Sequence, residues 1–254
     1  MKFEVVASGS LGNLSIISTE STSIVIDAGI SYRQMKSRVV NLKEKYDALV
    51  ITHEHADHTK FLNTLSKNLK AKIYMNHDSF NNCNQKYKDG LNIDDIVDVL
   101  EEAFVVGDIK VTPFRLSHDA AGIFGYMFDD GKSKITYMTD TGYVKEEVIE
   151  LVKNCNTYLI ESNHEVEMVL VSSRPFLLKQ RILSQKGHLS NEECSNIVNK
   201  IAGPDTKNLV FMHLSRECNS PEMANLTHKS YIKDIDKFNL IYANQDVSTG
   251  EIDV

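Results

Sequence analysis

Leu49-Val50-Ile51-Thr52-His53-Glu54-His55-Ala56-Asp57-His58 decides how the rest of the chain is read. An apolar run that closes on a threonine has the composition of a buried strand, and the polar residues after it form the loop that leaves the strand. Three imidazoles and a carboxylate, at His53, His55, His58 and Asp57, are donors that suit borderline divalent metals. In a tight loop His53 and His55 can point one way while Asp57 and His58 point the other, which serves two metals better than one. A polar loop with incidental histidines is the bland alternative. It accounts poorly for so long a pattern placed directly after a strand, where α/β proteins build their sites.

Working outward, the same event recurs. Ser23 to Ile26 reads as a strand that ends on Asp27-Ala28-Gly29, and Ile109 to Pro113 as one that leads to His118. Lys134 to Met138 runs into Asp140, Thr157 to Ile160 into Glu161-Ser162-Asn163-His164, and Leu209 to Met212 into His213. One strand ending on a donor means little. Repetition in one chain makes a metal centre at one edge of β-structure the simplest account. The intervening segments alternate with helices: Tyr32 to Lys45, Lys60 to Lys67, Val144 to Val152, and one after Ser220-Pro221, a cap followed by proline in the first turn. Ser190-Asn191-Glu192-Glu193 is a capping box that sets His188 just ahead of a helix N-terminus. Phe3 to Ala7 and Leu14 to Ser18 are strands around a short Gly-rich hairpin turn, too short for a nucleotide-binding loop. Further strands are expected near Leu240 and Val247. His228, inside the last helix, reads as a surface residue.

Composition sets bounds. A chain of 254 residues that is 42% hydrophobic can bury a large core, and with no Pro/Gly/Ser-rich linker residues 1–254 read as a single domain. No apolar run reaches the ~18 residues of a membrane span. The four cysteines are scattered without a Cys-x-x-Cys, so neither a disulfide frame nor a thiolate site is indicated. A cytoplasmic location is expected. The net charge of −7 argues against gripping nucleic acid by charge alone. That sum conceals asymmetry, because Arg174, Lys179, Arg181 and Lys186 form a run free of acids between two of the motifs.

At this point the chain resembles the metallo-β-lactamase fold superfamily, with the five motifs in order over nearly the whole length. The resemblance implies an α/β protein built as a four-layer αββα sandwich. It also implies that His53, His55 and His118 hold one metal, that Asp57, His58 and His213 hold a second, and that Asp140 bridges them. Asp27 would support from behind, and His164 reads equally as a cap or support behind the donors and as a substrate contact. His58 and Asp140 depart from true β-lactamases, which typically use a cysteine near the fourth motif, so antibiotic hydrolysis is not expected. The intervals between motifs are too short for the large extra domain of the RNA-cleavage and DNA-end-processing branch and for the tRNA-clamping arm of ribonuclease Z, and the 41 residues after His213 are too few for the helical domain expected of a glyoxalase II. Ala7-Ser8-Gly9-Ser10 with Gly12-Asn13, Ile160 to His164, Gly187 to Asn191, and His213-Leu214-Ser215-Arg216-Glu217 resemble the YycJ/WalJ family of compact bacterial metallohydrolases. That family is linked to 5′-to-3′ exonuclease activity on DNA.

The resulting expectation is a binuclear phosphodiesterase or nuclease acting on DNA through a hydroxide that bridges two metals. Zinc is favoured because histidines dominate the donor set. Manganese is the second candidate, since Asp57 and Asp140 supply harder oxygens. His188, with Glu161 as its acidic partner, is expected to protonate the leaving group, alongside Asp57 at the metals, and the four basic residues are expected to contact phosphates. A hydrolase of a small ester, lactone or cyclic phosphodiester is the competing reading, and a non-catalytic metal-binding module a third.

Overall fold

The reason Leu49-Val50-Ile51 is apolar without alternation is visible in the layers. In the computed structural model, which describes residues 1–254, Leu49 and Ile51 pack outward against helices while Ala48 and Val50 pack inward against a second sheet. Both faces of the strand are buried, so no polar position is left for the period of two to reveal. The strand that delivers His213 behaves alike, with Val210 and Met212 facing inward and Leu209 and Phe211 outward.

There are two seven-stranded mixed sheets. The first contains β1 (Lys2–Ala7), β2 (Leu14–Ser18), β3 (Ser23–Ile26), β4 (Ala48–Val50), β5 (Lys72–Met75) and β6 (Ile96–Asp98). The second contains β7 (Phe104–Val106), β8 (Ile109–Arg115), β9 (Phe124–Asp129), β10 (Lys134–Met138), β11 (Thr157–Glu161), β12 (Asn208–Met212) and β13 (Asn239–Tyr242). The last strand, β14 (Ile252–Asp253), returns to pair with β1. Strands β3 to β6 run parallel, as do β10 to β13, and the remaining pairs are antiparallel. The central core lies between the sheets, with Phe3, Val5, Phe124, Tyr126 and Phe128 among its members. Leu62 and Leu65 of the Leu62–Leu69 helix cover the first sheet. Val148 and Val198, from the Glu146–Leu151 and Asn191–Ile201 helices, cover the second. The order helix, sheet, sheet, helix is the four-layer αββα sandwich. No helix is long and apolar enough to cross a membrane.

Several expected boundaries moved. The helix expected over Tyr32 to Lys45 stops at Arg38, and Val39 is already extended. The β-branched pair Val39-Val40 disfavours continuation, and the chain must straighten to bury Tyr46, which is 1% exposed. His53 to His58 is not all loop, since Ala56–Thr59 forms one helical turn. No strand forms near Val247; the pairing falls to β14 instead. His228 is fully buried rather than on the surface. Its ring stacks on Phe211 with centroids 3.7 Å apart, and its nitrogens meet Ser162 Oγ (3.0 Å) and the Tyr242 hydroxyl (3.2 Å). The inward stripe of its helix is narrow, Ala224 and His228, and a histidine there gives no apolar signal.

Candidate metal centre

The donors gather where strands of both sheets end. Asp27 follows β3, His53 to His58 follow β4, His118 follows β8, Asp140 follows β10, Glu161 closes β11 and His213 follows β12. Asp27, Asp140 and His213 have positive φ, at 65°, 58° and 56°. The left-handed turn swings each side chain sharply off its strand. Gly29 packs against the same loop so closely that a Cβ would lie 1.7 Å from the Asp57 carbonyl oxygen. Asn13 N–H donates to that oxygen at 2.8 Å.

Two groups of donors result. The rings of His53, His55 and His118 converge, with centroids 4.6 to 5.5 Å apart, and one ligand atom from each lies within 4.8 Å of the others. Asp57, His58, Asp140 and His213 form the second group by the same measure. Asp140 also belongs with Glu161, His188 and His213 in a third, overlapping group.

Their chemistry fits divalent cations. His118 Nδ1 donates to the Gly187 carbonyl at 2.9 Å, and His53 Nδ1 meets Thr52 Oγ1 at 3.0 Å. Each ring therefore turns its Nε2 inward, and both Nε2 atoms are buried without a hydrogen-bond partner. Asp119 Oδ1, 3.2 Å from His118 Nε2, is not aligned with the ring for a hydrogen bond. Burial holds both imidazoles below the usual range, and the neutral ring with one fixed nitrogen is the form that ligates. Asp140 Oδ2 is likewise buried and without a hydrogen bond, although His58 Nε2 stands 3.1 Å away. His58 and His213 go the other way. Burial opposes their charge, yet Asp27, Asp57 and Asp140 around His58, and Asp140, Asp57 and Glu161 around His213, push both well above the usual imidazole range. Those protons offset carboxylate charge that a divalent cation would otherwise balance.

Asp27 sits behind His58. Its Oδ2 accepts from His58 Nδ1 at 2.7 Å, while its Oδ1 accepts from the Thr52 amide and hydroxyl, each at 2.9 Å. Glu54, an unremarkable residue in the sequence, accepts from Ala121 N–H and Ser79 Oγ and so fixes the loop that carries His118. Asn13 Nδ2 lies 3.1 Å from His58 Nε2. Asn163 Nδ2 donates to the His213 carbonyl at 2.7 Å, and Ser8 Oγ accepts from the His213 amide at 2.8 Å. Reading the sequence assigned no role to Ser8, Asn13, Glu54 or Asn163. The signal for Ser8, Asn13 and Asn163 was their place inside the quoted motifs.

Beside His118 and His213, with ring centroids 5.0 and 5.3 Å away, His188 Nδ1 stands 2.7 Å from Glu161 Oε1 and 3.7 Å from Asp140 Oδ1. Glu161 Oε2 accepts from the Thr141 amide at 2.8 Å. Burial disfavours both charges, but the ion pair wins: Glu161 is held at about 2 and His188 is raised. His188 opens onto a cleft of about 160 Å³ that Ser10, Asn163, Arg174 and Arg181 also line. Of the basic run, then, only two members border the cleft. Lys179 Nζ donates to the Leu170 carbonyl at 2.7 Å, and Lys186 is exposed outside it. Arg174 and Arg181 carry counter-charges, with Arg174 Nε 2.9 Å from Glu217 and Arg181 Nη2 3.0 Å from Asp119. His164 is 1% exposed with neither ring nitrogen partnered, and burial lowers it to about 4.

Two sheets sandwiched between helices, with histidine and aspartate donors collected at one edge, define a metallo-β-lactamase-fold protein. The metallo-beta-lactamase fold protein YhfI from Bacillus subtilis superposes with a TM-score of 0.72 at 15% identity, over 97% of this chain and 98% of that one. The chain belongs to the beta-lactamase superfamily, whose domain model matches residues 22–214. Within it, the chain is 32% identical to the exodeoxyribonuclease YycJ of Bacillus anthracis over 231 residues, covering 89% of this chain and 87% of that protein. It is 35% identical to the exodeoxyribonuclease WalJ of Streptococcus pneumoniae serotype 2 (strain D39 / NCTC 7466), covering 89% and 86%.

Proposed function

We propose that the chain is a binuclear metal-dependent phosphodiesterase that degrades DNA as a 5′-to-3′ exonuclease, working as one domain in the cytoplasm. The observation that carries the reading is the His188–Glu161 pair, 2.7 Å apart, set beside the donors and open to the cleft. A site that only stored metal would have no use for an imidazolium held ready at its rim. The names of the YycJ and WalJ relatives support DNA as substrate.

His53, His55 and His118 hold one ion, Asp57, His58 and His213 the other, and Asp140 serves both, with zinc favoured over manganese. Ions held there supply Lewis-acid charge to a phosphoryl oxygen and an activated water. Asp27 fixes the tautomer of His58, and Asp57 steadies the water's side of the site. His188 gives a proton to the departing alkoxide oxygen, and Glu161 keeps that proton on the ring until it is needed. His164 packs behind, and Arg174 and Arg181 take the neighbouring phosphate charge. The test combines elemental analysis of the purified chain with activity on 5′-labelled duplex DNA across added Zn²⁺ and Mn²⁺. Two ions per chain and mononucleotides released from the labelled end are expected. Activity confined to small esters or lactones would overturn the reading.

A further inference from the structure

The contact between His188 and Glu161 joins two stretches of chain, the end of β11 and the start of the Asn191–Ile201 helix. The first residue of that helix is a fully buried asparagine. Asparagine is an indifferent helix former, and burying an amide costs stability unless its donors and acceptor lone pairs are all met. At Asn191 all four are. Its Oδ1 accepts from Ser162 Oγ at 2.6 Å and from Asn219 Nδ2 at 2.9 Å. Its Nδ2 donates to Asn219 Oδ1 at 3.1 Å and to Glu165 Oε2 at 3.0 Å.

The partners give the arrangement its meaning. Ser162 adjoins Glu161, and Asn219 lies on the segment that continues from His213. Main-chain bonds run alongside, with Asn191 N–H donating to the His164 carbonyl and Asn163 N–H to the Leu189 carbonyl, each at 2.9 Å. One amide therefore fastens together the segments that bear Glu161, His188 and His213. Neither Asn191 nor any of its three side-chain partners belongs to the metal-donor groups. The network reaches the chemistry only through the chain it holds. It is also backed from behind, because Ser162 Oγ meets His228 Nε2 at 3.0 Å from the last long helix.

We infer that Asn191 is a positioning residue for His188, holding the start of its helix against the end of β11 so that the imidazole stays on Glu161 and faces the leaving group. The inference deepens the proton-donor reading of His188 and rests on it. A proton donor must lie within hydrogen-bond reach of the atom it protonates, and a displacement of about 1 Å can cost on the order of 10²-fold. Glu161 grips the ring, but where the ring stands depends on how the two backbones are joined. The bond from Ser162 to Asn191 is the side-chain fastening between them.

The experiment is a double-mutant cycle of Asn191→Ala and His188→Ala in metal-loaded protein. It reads the ratio of single-turnover rates on DNA and on a nitrophenyl phosphodiester. Asn191→Ala should keep both ions and lower that ratio about tenfold or more. With His188 already replaced it should lower the ratio no further, because the residue acts through the ring. Ser162→Ala removes only a hydroxyl and serves if Asn191→Ala folds poorly; it should lower the ratio about fivefold, the worth of one hydrogen bond. Equal losses on both substrates, no fall in either variant, or a fall of the same size without His188 would make Asn191 a structural residue and overturn the inference. If His188→Ala itself spares the ratio, the proton-donor reading fails, and crystals of metal-loaded Asn191→Ala decide the positioning alone. A His188 Nδ1 that has left its 2.7 Å contact with Glu161 Oε1 would support it, and an unchanged contact would overturn it.

Discussion

Replacing His188 with alanine tests the chemistry at its most exposed step. The ring packs beside two donors, with centroids 5.0 Å from His118 and 5.3 Å from His213, but its Nδ1 is engaged by Glu161 and it is assigned to neither ion, so His188→Ala should keep both ions and the fold. What it removes is a proton held 2.7 Å from a buried carboxylate. General-acid assistance is worth roughly 10²–10⁴-fold, or about 3–5 kcal/mol of barrier. That loss should appear in full on DNA, whose leaving group is an alkoxide. On a nitrophenyl phosphodiester, whose leaving group departs without help, the loss should stay under about tenfold. The assay is single-turnover cleavage of both substrates by wild type and variant at matched metal content. Glu161→Gln is not the mild control it looks. Glu161 Oε2 receives the Thr141 amide while Oε1 faces His188, so a carboxamide must turn its NH₂ toward one of two donors. It should cost about 1–3 kcal/mol of stability besides rate. Equal losses on both substrates for His188→Ala would refute the proton-donor role and leave His188 a positioning residue.

Three further perturbations follow from the geometry. Asp140→Ala removes a carboxylate of the second donor group, the one proposed to serve both ions, so elemental analysis should find at least one ion missing per chain; full occupancy would show that the bridge lies elsewhere. Gly29→Ala would set a methyl group 1.7 Å from the Asp57 carbonyl oxygen, with Asn13 N–H only 2.4 Å off, and backbone cannot yield there as a side chain would. Urea denaturation should show a loss of at least about 2 kcal/mol, whereas a neutral result would mean that the 27–29 turn is free to move. His228 is held at about 3 by burial, below its unfolded value near 6.5. Between those values the unfolded chain binds a proton that the native chain refuses, so stability present above about pH 6.5 is lost as pH falls, by at most ~1.4 kcal/mol per unit. His228→Gln in chelated protein should flatten that slope, and an unchanged slope would place the acid sensitivity at other groups.

What could be read from the sequence was whatever each strand carries in itself. Leu49 to Ile51 and Leu209 to Met212 announce strands buried on both faces, and the donors that follow them announce the edge where a site forms. What could not be read depends on partners distant in the chain. Nothing near Arg181 says that Asp119 neutralises it, and nothing near His228 says that Ser162 and Tyr242 occupy its nitrogens. The helix expected to Lys45 fails for the same reason, because Tyr46 is claimed by the core against the first sheet.

The polar motifs at Ser8 to Asn13 and Ser162-Asn163 belong to this second kind, and backbone strain explains what they are for. Of the six non-glycine residues with positive φ, three are Asp27, Asp140 and His213. Such a conformation costs on the order of 1–3 kcal/mol and persists only where the surroundings enforce it. Aspartate and histidine both visit this region more often than most residues, and at His213 the hold on the backbone is plain. Ser8 Oγ takes its amide hydrogen and Asn163 gives a hydrogen to its carbonyl, clamping the peptide on both sides of the strained Cα. The left-handed turn is what lets a parallel strand aim a ligand across the sheet edge instead of along it. Residues that never touch a metal are therefore as necessary to the donor geometry as those that do.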